Sequence, residues 1–259
     1  MHQPMDTEYG LMRYRNEQIA EMETKMDIRK EYKNQIEELT EACRRCAELG
    51  YVTSSGGNLS YRVAENLILI TPTKTPKRLM RFEDICAIDN DGNTVFAPEG
   101  KKPTGETPFH ARIMRLRPDV KAIVHSHPPI LTGFACINSE ILSKAILPEP
   151  ALEVGPMLNV KYATPLSEEL SGNFDRVIQK SNGFLMNNHG VLLCSTNNVA
   201  EAVEQTEMVE AMAKSVAVAQ LFGGCRFLPE KDISGLDEVI AVRDLKTPGY
   251  KTKLLSEIF

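Results

Sequence analysis

Lys121-Ala122-Ile123-Val124-His125-Ser126-His127-Pro128 decides how this chain is read. A short apolar strand, Lys121 to Val124, runs straight into His-Ser-His. Side chains at i and i+2 share one face of a strand, so His125 and His127 can take neighbouring corners of one coordination sphere. The chain has five histidines. A third, His189, stands in Asn188-His189-Gly190, directly after a second expected strand, Phe184 to Asn187. Gly190 would let the backbone turn sharply and the ring face inward. Three neutral imidazoles with one open position are the donor set of a catalytic zinc rather than of a closed structural one. Spacing alone leaves His189 free to be a loop histidine, and taken singly each of the others has the same bland reading.

Outward from this stretch, Ile36, Leu39, Cys43, Cys46 and Ala47 follow helical spacing from Asn34, with Gly50 as a stop. A turn-rich run, Thr53 to Asn58, precedes a short strand, Leu67 to Thr71. A strand near Ile85 to Ile88 meets the hairpin signal Asp89-Asn90-Asp91-Gly92. Glu106 to Leu116 reads as a helix closed by Pro118. Leu158 to Tyr162 and Val191 to Cys194 read as strands, and Pro165 to Gln179 as a helix with proline in its first turn. Asn198 and Glu201 form a cap-like pair opening a long helix to Leu221, stopped by Gly223. This irregular alternation suggests a single α/β domain with a mixed or antiparallel sheet. Residues 1–32, rich in charge, Met and Gln, read as an N-terminal extension, and residues 33–259 as the domain.

A chain of 259 residues, 42% of them hydrophobic, suits one large domain. A net charge of −5 argues against a nucleic-acid or membrane-surface binder, which needs a basic face. It leaves room for an anionic substrate, which needs only a few local donors. No stretch approaches the ~20 apolar residues of a membrane span. The first residues lack a basic-then-apolar signal pattern, so a cytoplasmic location is expected. Cys43 and Cys46 form a C-x-x-C with no second pair nearby. They read as two thiols on the buried face of a helix in a reducing compartment.

Several segments, in order, resemble the class II aldolase/adducin family, which includes L-fuculose-1-phosphate aldolase and L-ribulose-5-phosphate 4-epimerase. They are Ser55-Gly56-Gly57-Asn58-Leu59-Ser60, Ile70-Thr71-Pro72-Thr73, Pro103-Thr104-Gly105-Glu106-Thr107-Pro108-Phe109-His110, Arg117-Pro118-Asp119-Val120, Val124-His125-Ser126-His127, Tyr162-Ala163-Thr164 and Asn188-His189-Gly190. The resemblance runs from about Glu37 to Gly224. It implies a single three-layer α/β/α domain around a central, mostly antiparallel sheet. It also implies a homotetramer with sites between subunits, and metal ligands at His125, His127 and His189. The metal implied is Zn2+, with Mn2+ or Co2+ as other divalent choices. The non-catalytic adducin branch is degraded at metal positions, whereas this chain keeps all three.

On the same resemblance Glu106 matches the catalytic acid/base; on its own it would read as a surface carboxylate in a helix's first turn. His110, four residues on, shares its helix face. The phosphate cradle would be Ser55, Gly56, Gly57 and Asn58, with Thr73, Lys74, Thr104 and Gly105. Small residues there let backbone N–H groups approach an anion. Lys74 stands where the aldolase pattern has Gly, and Thr104 and Gly105 stand where it has two serines. The aldolase also carries a proton-donating tyrosine in the segment that here reads Leu147-Pro148-Glu149-Pro150. Glu149 is a candidate to replace that donor or to lie near the metal. Tyr250, near the C-terminus, is a candidate mobile proton donor, a role a C-terminal tyrosine has in the aldolase. The leading expectation is a metal-dependent aldolase cleaving a ketose 1-phosphate to dihydroxyacetone phosphate and an aldehyde through a metal-stabilised enediolate. An epimerase or decarboxylase using the same site, and an adducin-like scaffold, are the rivals.

Overall fold

The structure is a computed structural model that describes residues 28–259. The expected N-terminal extension therefore lies almost wholly outside the described residues. From residue 28 the chain is helical, and Ile28 is buried in the same cluster as Ile36 and Leu39.

Eight strands form one sheet: β1 (Asn58–Ala64), β2 (Leu67–Ile70), β3 (Cys86–Ile88), β4 (Thr94–Phe96), β5 (Ala122–Ser126), β6 (Met157–Val160), β7 (Gly183–Met186) and β8 (Gly190–Ser195). Their order is β4-β3-β2-β1-β5-β8-β7-β6, and every pairing is antiparallel except β6 with β7. The alternating pleat sends successive side chains to opposite faces. Ala122 and Val124 of β5 join one core with helix α1 (Lys33–Glu48), while Ile123 joins the other with helix α2 (Thr107–Leu116). Helices α3 (Pro129–Cys136) and α6 (Val199–Leu221) pack with Val191 and Leu193 of β8. Helix α4 (Pro148–Glu153), α5 (Glu168–Asn173) and α7 (Glu230–Arg243) complete the set. The result is the expected three-layer α/β/α domain. Among the described residues no helix is long and apolar enough to cross a membrane.

Cys43 and Cys46 are both buried on α1, as their spacing predicts. Asn198 accepts from the Glu201 N–H at 2.8 Å and starts α6. Elsewhere the reading shifts. The helix expected from Pro165 begins only at Glu168, because Leu166 takes a left-handed φ of +69° and Ser167 becomes the cap, accepting from the Leu170 N–H. β1 continues from what reads as a turn. Its polar Asn58, Ser60 and Arg62 alternate with Leu59, Tyr61 and Val63.

Arg117 is fully buried beyond the C-terminus of α2. Its guanidinium grips Asp119 at 2.8 and 2.9 Å and donates to the carbonyls of Ile178, Ser181 and Gly249. That anchors the C-terminal segment against the domain.

Candidate metal centre

His125 ends the run of β5 on the α2 face, with the Phe109 ring edge-on at 5.6 Å. Its Nδ1 lies 2.9 Å from the Val191 carbonyl, which can only accept, so Nδ1 carries the proton and Nε2 keeps its lone pair. Nε2 is buried and has no hydrogen-bond partner. His127 and His189 bring their rings alongside at 4.9 and 4.8 Å from that of His125. One ligand nitrogen from each of the three falls within 4.8 Å of the others. Burial lowers the pKa of all three; His127 and His189 lower that of His125 further, and burial with His189 brings His127 down to about 4, while Glu106 pulls His189 the other way. At neutral pH the rings are uncharged and offer lone pairs. A buried, unpartnered imidazole nitrogen beside two more neutral imidazoles fits a divalent cation.

Two glycines make this convergence possible. A Cβ on Gly190 would meet His127 Cδ2 at 2.4 Å and the Ser126 carbonyl at 2.6 Å. The sharp turn credited to Gly190 is instead made by Asn188, with φ +53°; Gly190 supplies room. Gly57, with φ +67°, lies where a Cβ would meet the His125 carbonyl at 2.7 Å.

Glu106 precedes α2 and is buried. Its carboxylate does not cap its own helix. Oε2 lies 3.4 Å from His125 Nε2 and Oε1 3.6 Å from His189 Nε2. Asn58 Nδ2 donates to Oε2 at 2.8 Å. The same amide's Oδ1 accepts from His110 Nε2 at 2.6 Å, and Ser60 Oγ donates to His110 Nδ1 at 2.7 Å. His110 is therefore the neutral Nε2–H tautomer, and burial drops its pKa to about 3.

The expected cradle residues divide. Asn58 spends both ends of its amide on Glu106 and His110 rather than on an anion. Thr104 Oγ1 accepts from the Glu106 N–H at 3.3 Å, shaping the entry to α2. Gly56 borders the His127 ring, and a Cβ on it would stand 3.4 Å from Nδ1. Ser55, Thr73, Lys74 and Gly105 are exposed, and Lys74 holds a left-handed φ of +54°. Leu166 lies over Gly105, its Cδ2 2.9 Å from where a Cβ would stand.

Glu149 and Tyr250 lie elsewhere in the chain. Glu149 is exposed on the first turn of α4 and lines a cleft with Thr196, just past the far end of β8 from His189. The Tyr250 ring packs 5.7 Å from the Arg117 guanidinium, at the opposite end of α2 from Glu106.

Sequence reading missed two buried charged residues here. Glu210 of α6 accepts the Ile130 and Leu131 N–H groups at 3.1 and 2.9 Å, fixing α3 just after His127. Lys77 lies behind the Ser55 loop, with Nζ 3.3 Å from the Ser55 carbonyl. Charged side chains carry no sequence signal of burial when their partners are backbone groups.

Residues 37–217 match the family described as Class II Aldolase and Adducin N-terminal domain. The chain belongs to this family. A 3-oxo-tetronate 4-phosphate decarboxylase of Haemophilus influenzae is 30% identical over 206 residues, covering 78% of this chain and 96% of that protein. An L-fuculose phosphate aldolase of Methanococcus maripaludis is 32% identical over 179 residues, covering 69% and 94%. Among solved structures, an L-fuculose 1-phosphate aldolase superposes with a TM-score of 0.73 at 27% identity, covering 80% of this chain and 96% of that one. Class II aldolases are metal-dependent enzymes, and the histidine cluster gives this member residues able to hold a divalent ion.

Proposed function

We propose that this chain is a divalent-metal lyase that breaks a carbon–carbon bond of a phosphorylated sugar. In the aldolase reading it releases dihydroxyacetone phosphate and an aldehyde from a ketose 1-phosphate. One observation carries this: the Glu106 carboxylate, tethered by Asn58, faces Nε2 of His125 and of His189, two of the three neutral histidines whose ring nitrogens cluster. A bound divalent cation, zinc in the first instance, would supply Lewis-acid stabilisation of negative charge on substrate oxygens. His125, His127 and His189 would hold it. Glu106 accepts and returns the substrate proton. Asn58 holds Glu106, and His110 and Ser60 hold Asn58. The Ser55-Gly56-Gly57 loop, with Thr73, Lys74, Thr104 and Gly105 around it, receives the phosphate.

Glu149 and Tyr250 lie away from their own chain's histidines, so as proton donors they would act across a subunit boundary. The proposed assembly is a homotetramer with sites between subunits. A second reading is decarboxylation of a phosphorylated 3-oxo acid. The segment Leu147-Pro148-Glu149-Pro150 lacks tyrosine, and the Haemophilus relative is named as such a decarboxylase. Metal-loaded protein should be screened against ketose 1-phosphates, with dihydroxyacetone phosphate release as readout, and against a 3-oxo-tetronate 4-phosphate, with carbon dioxide release. Inactivity of metal-saturated protein on both classes would refute the proposal.

A further inference from the structure

Among the described residues one lysine is buried without an ion-pair partner. Lys77 is 1% exposed. Its Nζ lies 3.3 Å from the Ser55 carbonyl and 3.4 Å from that of Thr75, and its backbone N–H reaches the Ser54 carbonyl at 3.4 Å. Among the described residues no carboxylate lies within ion-pair distance of it, whereas nearby Lys101 is neutralised by Asp84 at 3.0 Å. Cys43 and Cys46, whose fields reach Lys77, are kept as neutral thiols by burial, with Cys43 pushed up to about 12. They supply no counter-charge. Glu106 also acts on Lys77 electrostatically, but from beyond ion-pair distance. Desolvation pulls the Lys77 pKa down, the mark of a charge the fold itself does not repay.

The two carbonyls Lys77 grips belong to the two loops of the phosphate cradle, residues 53–58 and 73–75. Its charge is felt as far as His127. We propose that Lys77 is the positioning residue that makes this cradle selective for a doubly charged phosphoryl group. It ties the loops together and gives them a buried positive charge, without an ion-pair partner, that an arriving anion compensates. Exposed Lys74, screened by water, contributes little of that selectivity. The inference rests on the phosphorylated-substrate reading above.

The test uses full-length, metal-loaded protein and orthophosphate as probe, titrated by calorimetry at pH 6 and pH 8. Wild type should bind more tightly at pH 8, where phosphate is mostly the dianion. Lys77→Gln keeps an N–H donor for the carbonyls and removes the charge. It should retain fold and metal content, lose ~10–100-fold in phosphate affinity at pH 8, and lose most of the preference for pH 8. A clamp with no electrostatic role would leave that pH preference intact. Lys77→Met, which fills the same space without polar atoms, is the second variant should the first be insoluble; its thermal midpoint should match or exceed that of wild type. Wild-type phosphate affinity and pH preference in either folded variant would overturn the inference while leaving the phosphate reading standing. No phosphate binding by wild type would remove both.

Discussion

Asn58 holds Glu106 through a single amide N–H, with Nδ2 2.8 Å from Oε2. The other end of that amide is fixed by His110, which Ser60 fixes in turn. The proposed base is thus oriented by a chain of neutral groups anchored in the sheet. Asn58→Leu, near in volume, should lower kcat by ~10–100-fold, the usual cost of losing an orienting partner, while metal content stays constant. Undiminished kcat in the metal-saturated variant would show that Glu106 needs no tether.

Glu106→Gln should cost more. The swap preserves shape and hydrogen bonding, but Gln cannot take a proton. Turnover on the substrate found by screening should fall by ~10²–10⁴-fold at saturating metal. Turnover equal to wild type would return Glu106 to a merely structural place before α2.

Gly190→Ala would put a methyl group into the His127 ring and the Ser126 carbonyl. Neither can withdraw without moving a proposed ligand. Metal affinity should drop at least ~10-fold, read by competition with a chromogenic chelator. Gly133→Ala is the control, since a Cβ there meets nothing within 4 Å. Equal affinity in the two variants would mean that His127 is no ligand.

The buried imidazoles predict an acid-labile fold. His110 titrates near 3 and His127 near 4, both below the ordinary value of 6.5. Between those values and about 6.5 the unfolded chain binds more protons than the folded one, so stability rises with pH through that window and is lost as pH falls. Urea midpoints of metal-free protein should decline from pH 6.5 to pH 4. His110→Asn should flatten part of that decline, and an equally steep decline in that variant would rule His110 out as a contributor.

Glu210 is fully buried, and Pro128 and Pro129 leave Ile130 and Leu131 with the first N–H groups of α3 to satisfy. Glu210→Ala would orphan both at once. A loss of ~2–4 kcal/mol in chemical denaturation is expected, together with weaker metal binding through His127.

The sequence carries the scaffold of this site more clearly than its electrostatics. His125 and His127 are legible because a strand repeats every two residues. The start of α6 is legible because Asn198 is a cap by chemistry. β1 is hidden because Asn58, Ser60 and Arg62 look like loop residues, yet the first two serve a buried hydrogen-bond network. Lys77 and Glu210 are hidden because their partners are carbonyls and N–H groups, which every segment possesses. Leu166 is hidden because nothing in Thr-Pro-Leu-Ser announces a left-handed leucine; its conformation follows from how α5 is approached.

His125 is hydrogen-bonded to Val191, 66 residues away, across the β5–β8 pairing. The three imidazoles therefore do not exist as a set until two strands distant in the chain have zipped together. A metal seated there would fasten a long loop whose closure is entropically costly. Its capture should come late in refolding, after the sheet's centre has formed. Once captured, it should slow the parting of β5 from β8 more than any opening at the sheet's edges, and amide hydrogen exchange along those two strands would record the difference.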